Sequence, residues 1–156
     1  PPTRFVIGRK GAPAMPHIST TVEIDATPEA VWAVLGDLTA TPDWLPGVVS
    51  ASFEGSTRIC ILADGTQIHE QISGHNNRQR SYHFRHLRTP LPVHDLHGSF
   101  TVAADAAGNA LVTLDTTFQP ADPAPAELTD MIQNAFGQSL ASLRRWIEKH
   151  QRWNSA

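Results

Sequence analysis

Charge of one sign, cysteine and long apolar runs are all scarce in this chain, and each scarcity removes a class of function. Lys and Arg number 12 against 15 Asp and Glu, a formal charge of -3, so no strong field draws the chain to nucleic acid or to anionic lipid. Arg144, Arg145 and Arg152, beside Trp146, suit a solvated helix end better than a nucleic-acid patch. No stretch of about 18 apolar residues is present, so no membrane span is expected. The one cysteine, Cys60, excludes an internal disulfide and fits a reducing cytoplasm. Phosphate loops and dinucleotide fingerprints are also absent, and no cofactor is expected. The expected assembly is a monomer or homodimer.

What is there reads as one domain over residues 17–153, preceded by an arm over 1–16. That arm, PPTRFVIGRKGAPAMP, has basic residues but no period. Met15 is the expected natural start, with residues 1–14 a flexible or appended piece. Residues 17–25 alternate as a strand. Thr27-Pro28-Glu29 then opens a helix to Leu35: Thr27 suits the N-cap, Pro28 the first helical position and Glu29 the dipole. Thr41–Leu45 is a further helical turn closed by Pro46-Gly47.

Six strands follow, over 48–54, 57–63, 66–73, 79–87, 93–104 and 110–119, with Asp64-Gly65 a hairpin signal and prolines 120, 123 and 125 barring further strand. The last helix, Ala126 to about His150, has the clearest period. Leu128, Ile132, Phe136, Leu140, Leu143 and Ile147 recur at helical spacing and are expected in the core, with the smaller stripe Met131, Ala135 and Ser139 beside them facing a cavity. The expected fold class is therefore α+β: a curved antiparallel sheet of seven strands around a long C-terminal helix, with two short helices after the first strand.

Alternation chooses the residues that face inward. Ile68 and Ile72 share a face with Glu70; Tyr82 and Phe84 with His86; Leu96, Phe100 and Val102 with His94. A hairpin centred on Pro90 sets Phe84 opposite Leu96 and His86 opposite His94, and a turn at 74–78 sets Glu70 opposite Tyr82. A three-residue loop at 64–66 places Cys60 opposite Glu70 and turns Arg58 and Leu62 inward, whereas a two-residue loop reverses that strand. In 110–119 the pattern points Leu114 inward.

Glu70 stands out, because a buried carboxylate needs a partner or its pKa rises. Arg58, Tyr82 and His94 are the candidates. One reading is a polar ligand anchor or general acid/base; the other is an internal salt bridge with Arg58. The pairs His83-x-x-His86 and His94-x-x-His97 have metal-like spacing, but residues three apart on a strand face opposite ways, so no metal site is expected. His86 and His94 remain as a cross-strand pair for proton transfer or as plain rim residues. Cys60 reads as a buried small hydrophobe, the lone Tyr82 as a ligand contact or core residue, and Trp44 as a cover over the cavity mouth or a hydrophobic plug.

The layout resembles the helix-grip superfamily of START lipid-transfer domains, birch pollen allergens, plant abscisic-acid receptors and bacterial polyketide cyclase/dehydrase-like proteins. The residues carrying the likeness are ATPEAVWAVLGD, TPDWLPGV, RICILADGTQIHEQI, RSYHFRHLRTPLPVHDLHGSFTV and TTFQPADP, within about residues 17–150. The resemblance implies a hydrophobic pocket but no single chemistry. From the hormone receptors it implies that Glu70 contacts ligand through water and that Asp115, rather than Leu114, points inward. Three functions follow as expectations: a polyketide cyclase/dehydrase-like lyase or isomerase using Glu70 with His86 or His94 on a carbonyl-bearing substrate, a non-catalytic carrier or sensor of the same ligand, or an interaction module with a closed cavity.

Overall fold

A computed structural model describes residues 15–155, with the side chains of 152–155 left out. Residues 1–14 of the arm expected over 1–16 lie outside the described residues. The elements run β1 (His17–Ile24), α1 (Pro28–Leu35), α2 (Thr41–Trp44), β2 (Val48–Glu54), β3 (Thr57–Leu62), β4 (Gln67–Asn76), β5 (Ser81–Arg88), β6 (Val93–Ala104), β7 (Ala110–Pro120) and α3 (Leu128–Ser155). The strands form one antiparallel sheet in the order β1-β7-β6-β5-β4-β3-β2.

Local chemistry explains the boundaries. Thr27 Oγ1 accepts from the Ala30 amide at 3.1 Å, and Pro28 fills the first turn of α1, where a missing N–H costs nothing. Position 36, just past α1, requires glycine because a Cβ there would stand 2.6 Å from the Trp32 ring. Glycine is also required at 98, where a Cβ would lie 1.9 Å from the Asp115 carbonyl oxygen. Gly98 pairs with Phe84 on one side and Thr116 on the other, so the sheet closes up in its middle.

Even-numbered positions face inward across most of the sheet: Arg58 and Cys60 on β3, Glu70 and Ile72 on β4, Tyr82 and Phe84 on β5, Leu96 and Val102 on β6, and Val112, Leu114, Thr116 and Phe118 on β7 are all buried. On α3, Leu128, Ile132, Leu140, Leu143 and Ile147 are buried. This helix makes its strand contacts with β1 and β7, while α1 sits against β6 and α2 against β2. The packed core therefore gathers toward β1 and β7, and the inner face of β3–β5 is roofed by α2 and the middle of α3. Among the described residues no helix is long and apolar enough to cross a membrane.

Candidate functional site

Under that roof lies a cavity of about 180 Å³, lined by Thr41, Trp44, Leu45, Val48, Arg58, Cys60, Ile68, Glu70, Tyr82, Phe84, His86, Phe100, Leu114, Phe136 and Ser139. Most of these are apolar. The exception is a row across three adjacent strands: Arg58 on β3 pairs with Glu70 on β4, which pairs with His86 on β5. Strand pairing alone brings the three side chains together on one face.

Arg58 Nε donates to Glu70 Oε1 at 3.1 Å, and Nη2 lies 2.9 Å from the same oxygen. Its Nη1 donates to the Leu38 carbonyl and to Thr41 Oγ1, both at 3.1 Å, so the guanidinium ties the sheet to the segment carrying α2. The second carboxylate oxygen, Glu70 Oε2, is 3.5 Å from His86 Nε2. Arg58 and Glu70 are 6% and 7% exposed, so water screens the pair little. Burial pushes the Glu70 carboxyl up, but the His86 contact and the Arg58 charge outweigh it and hold it below the ordinary carboxylate range. Burial also opposes the Arg58 charge, which the facing Glu70 carboxylate restores. The Tyr82 hydroxyl is pushed up to about 12, chiefly by burial, and stays protonated. Burial likewise raises the Cys60 thiol, which keeps it out of the nucleophilic thiolate form.

Two polar atoms of the lining residues have no protein partner. Trp44 Nε1 and His86 Nδ1 are buried and unbonded. The Trp44 backbone, in contrast, is pinned: its carbonyl accepts from Ser142 Oγ on α3 at 2.5 Å.

Residues 15–148 match the family described as polyketide cyclase / dehydrase and lipid transport. The chain belongs to that family. No curated protein matches it. Among solved structures, XoxI from Bacillus cereus is 27% identical with a TM-score of 0.79, over 86% of this chain and 97% of that one. The Zhui aromatase/cyclase from Streptomyces sp. R1128 is 18% identical with a TM-score of 0.67, over 89% and 95%. A norcoclaurine synthase from Thalictrum is 14% identical with a TM-score of 0.66, over 90% and 98%. The last two show the helix-grip fold alone.

On this polyketide cyclase-family scaffold the structure brings together Arg58, Cys60, Ile68, Glu70, Tyr82, Phe84, His86, Phe100 and Ser139 at the cavity. Other expectations need correction. His94 is exposed and absent from the cavity lining. The β5–β6 register sets Phe84 opposite Gly98 rather than Leu96, and an irregularity in β6 between His94 and His97, with Asp95 at φ 52, breaks the alternation there. Leu96 is buried at 1% but does not line the cavity.

Asp115 faces out, 3.2 Å from His17 on the neighbouring edge strand, while Leu114 points inward as the alternation indicated. Glu70 faces His86, not Tyr82, because β4 is irregular on both sides of 70–73. The β3–β4 pairing is shifted by two residues from the expected one, so Arg58 rather than Cys60 opposes Glu70, and Leu62 falls beside Val48 outside the cavity lining. Met131 and Ala135 are exposed, and Phe136 takes the place expected of that stripe. Sequence reasoning missed Thr41, Leu45 and Val48. Their only signal was position, in the α2 segment and at the strand entry just after it.

Proposed function

We propose that the protein binds a small, largely apolar, carbonyl-bearing molecule in this cavity and moves protons on it. The observation that carries the reading is the Glu70–His86 contact in an otherwise apolar lining, with His86 Nδ1 buried and unbonded. An ionised Glu70 favours the tautomer with the proton on His86 Nε2, which leaves Nδ1 as the basic nitrogen. That nitrogen takes a proton from the carbon next to the carbonyl. Negative charge then develops on the carbonyl oxygen while the imidazole becomes a cation, which Glu70 stabilises. Arg58 supplies fixed positive charge to the site, and the protonated Tyr82 hydroxyl is a donor for the enolate oxygen. For a cyclisation the enolate carbon then attacks a second carbonyl carbon of the same molecule, forming the C–C bond, and the imidazolium gives its proton to the resulting alkoxide. For a dehydration the enolate expels a hydroxyl from the next carbon, which leaves as water with that proton, in keeping with a family described as cyclase / dehydrase. A positioned base of this kind is worth about 10²–10⁴ in rate.

The test is deuterium uptake at the methyl group of acetophenone in heavy water, followed by NMR. Wild-type protein is expected to accelerate it. Glu70→Gln and His86→Gln are expected to abolish the acceleration while leaving affinity within about tenfold. Uptake at the buffer rate with bound acetophenone refutes the proton-transfer role.

A second reading, a carrier or sensor without chemistry, is favoured by the way Arg58 directs both Nε and Nη2 to one oxygen of Glu70. That is how a structural ion pair behaves, and the same residues then serve only as polar anchors in an apolar pocket.

A further inference from the structure

We propose that the ligand of this cavity is an amphiphile whose apolar body lies inside and whose anionic end, a carboxylate or phosphate, lies outside against Arg145. This rests on the cavity-binding reading above and adds the ligand's charge and the place where it sits. A surface groove runs beside the cavity. One wall is Leu45 and Pro46, just after α2; the other is α3 from Ala135 to Arg145. Leu45 and Ser139 line both the groove and the cavity, so the two spaces meet between one residue of each wall. Ser142, also in the groove lining, ties the walls together through the Trp44 carbonyl at 2.5 Å.

Arg145 sits at the far end of this groove. Ala135, Gln138, Ser142 and Arg145 follow one another at spacings of three and four, which is one face of α3. Arg145 is six residues beyond Ser139, about 9 Å along the helix axis. It is exposed and has no carboxylate partner among the described residues. Its neighbour Arg144 makes the contrast, because Nε there lies 3.3 Å from Glu148 Oε2. The groove lining holds no Asp or Glu. A different groove, which shares His86 with the cavity, carries Asp95 beside Arg88 and so presents both signs.

The two spaces treat a charge differently. In the cavity Arg58 and Glu70 neutralise each other at 2.9 Å, and the rest of the lining holds no Asp, Glu, Lys or Arg. A carboxylate drawn in there would lose its water for no free cation. In the groove the same group keeps much of its water and gains an unpaired guanidinium, which suits carboxylate and phosphate oxygens alike. An ammonium end would meet repulsion instead. The charge also sets which way round the molecule lies: the apolar part faces Glu70 and His86, and the anion faces solvent.

The experiment compares octanoate, octyl phosphate, 1-octanol and octylammonium by calorimetric titration at low salt and about pH 7, where the carboxylate is ionised. Octanoate is expected to bind about 1.4–5-fold tighter than 1-octanol, the span of an exposed ion pair, and octylammonium weakest. The chain's net charge of -3 acts against that order, so it has to come from a local cation. Arg145→Gln is expected to bring octanoate down to the level of 1-octanol while 1-octanol stays within about twofold. Arg144→Gln, which removes the same net charge, is expected to keep the octanoate advantage. Octyl phosphate binding tighter than octanoate supports the inference with phosphate as the head group. Equal binding of octanoate and 1-octanol by the wild type overturns it and leaves the cavity reading standing, and so does an equal loss in both arginine variants. Octanoate that binds without displacing acetophenone also overturns it. Failure of acetophenone and of every octyl probe overturns both. The expected order of octyl probes without deuterium uptake on acetophenone removes the catalytic reading and supports this one. If Arg145→Gln fails to fold, salt decides: raising it should weaken octanoate and not 1-octanol on the wild type, and an equal response overturns the inference.

Discussion

Replacing Arg58 with methionine strands the Glu70 carboxylate inside the protein. Met is similar in length and apolar, so the change removes the charge with little loss of volume. Glu70 keeps only its 3.5 Å contact with His86. Breaking one side of a buried pair costs about 3–5 kcal/mol. The loop contacts add little: the Leu38 carbonyl still accepts from Thr41 Oγ1 at 3.2 Å, so it is not orphaned. Replacing both partners, Arg58→Met with Glu70→Met, removes the stranded charge and is expected to recover at least about 2 kcal/mol of that loss.

The pH dependence separates the cases further. In the wild type Glu70 is held low, so its contribution is complete above the unfolded carboxylate value of about 4.3 and fades as pH falls through the lower folded one. In Arg58→Met desolvation lifts the folded carboxyl above the unfolded one, so the native state binds the proton first. Stability then rises as pH falls through the raised folded value toward the unfolded one, opposite in sign. Urea unfolding of the wild type, Arg58→Met, Glu70→Met and the double variant across pH measures both effects. Strictly additive losses, or an Arg58→Met protein with no upturn toward acid, would refute the buried pair.

Three further outcomes are expected. Gly98→Ala places a methyl group 1.9 Å from the Asp115 carbonyl oxygen, an overlap that flexible side chains cannot relieve; thermal melting should fall by at least ~5 °C, and an unchanged melt would refute the close approach of β6 and β7. Asp115→Asn should leave acetophenone affinity within about twofold, because Asp115 faces His17 outside the cavity; a larger loss would restore the inward carboxylate. Cys60, 4% exposed with its thiol raised by burial, should resist Ellman's reagent in native buffer and react fully in denaturant; prompt native reaction would contradict its burial.

Element type and most side-chain faces were legible in the sequence because they depend on local chemistry, but the face of His94 was not, because the irregularity at Asp95 breaks the alternation there. The Thr27-Pro28 start, the alternation of β4 to β7 and the apolar period of α3 each act within a few residues. Cross-strand partners were not legible, because they depend on turn lengths and irregularities that accumulate along the chain. Arg58 met Glu70 only because β3–β4 pairs two residues away from the expected register. His86 met Glu70 only because β4 carries irregularities at 69/70 and 73/76. Asp115 carries another lesson: the alternation of Val112, Leu114, Thr116 and Phe118 pointed the right way, and the analogy with hormone receptors pointed the wrong one. On α3, small residues beside an apolar stripe look alike whether they face a hollow or solvent, so Met131 and Ala135 were misassigned while the bulky Phe136 reached the cavity.

The polar trio and Trp44 belong to different elements of the fold. Arg58, Glu70 and His86 stand on three hydrogen-bonded strands, the kind of framework that opens only with the whole domain. Trp44 stands on a helix of four residues anchored from α3 by a serine hydroxyl. Swapping that short helix for another of different bulk would reshape one wall of the cavity while leaving Arg58, Glu70 and His86 where they are. The lining is thus divided between a polar row fixed by strand pairing and a wall that a handful of residues can alter.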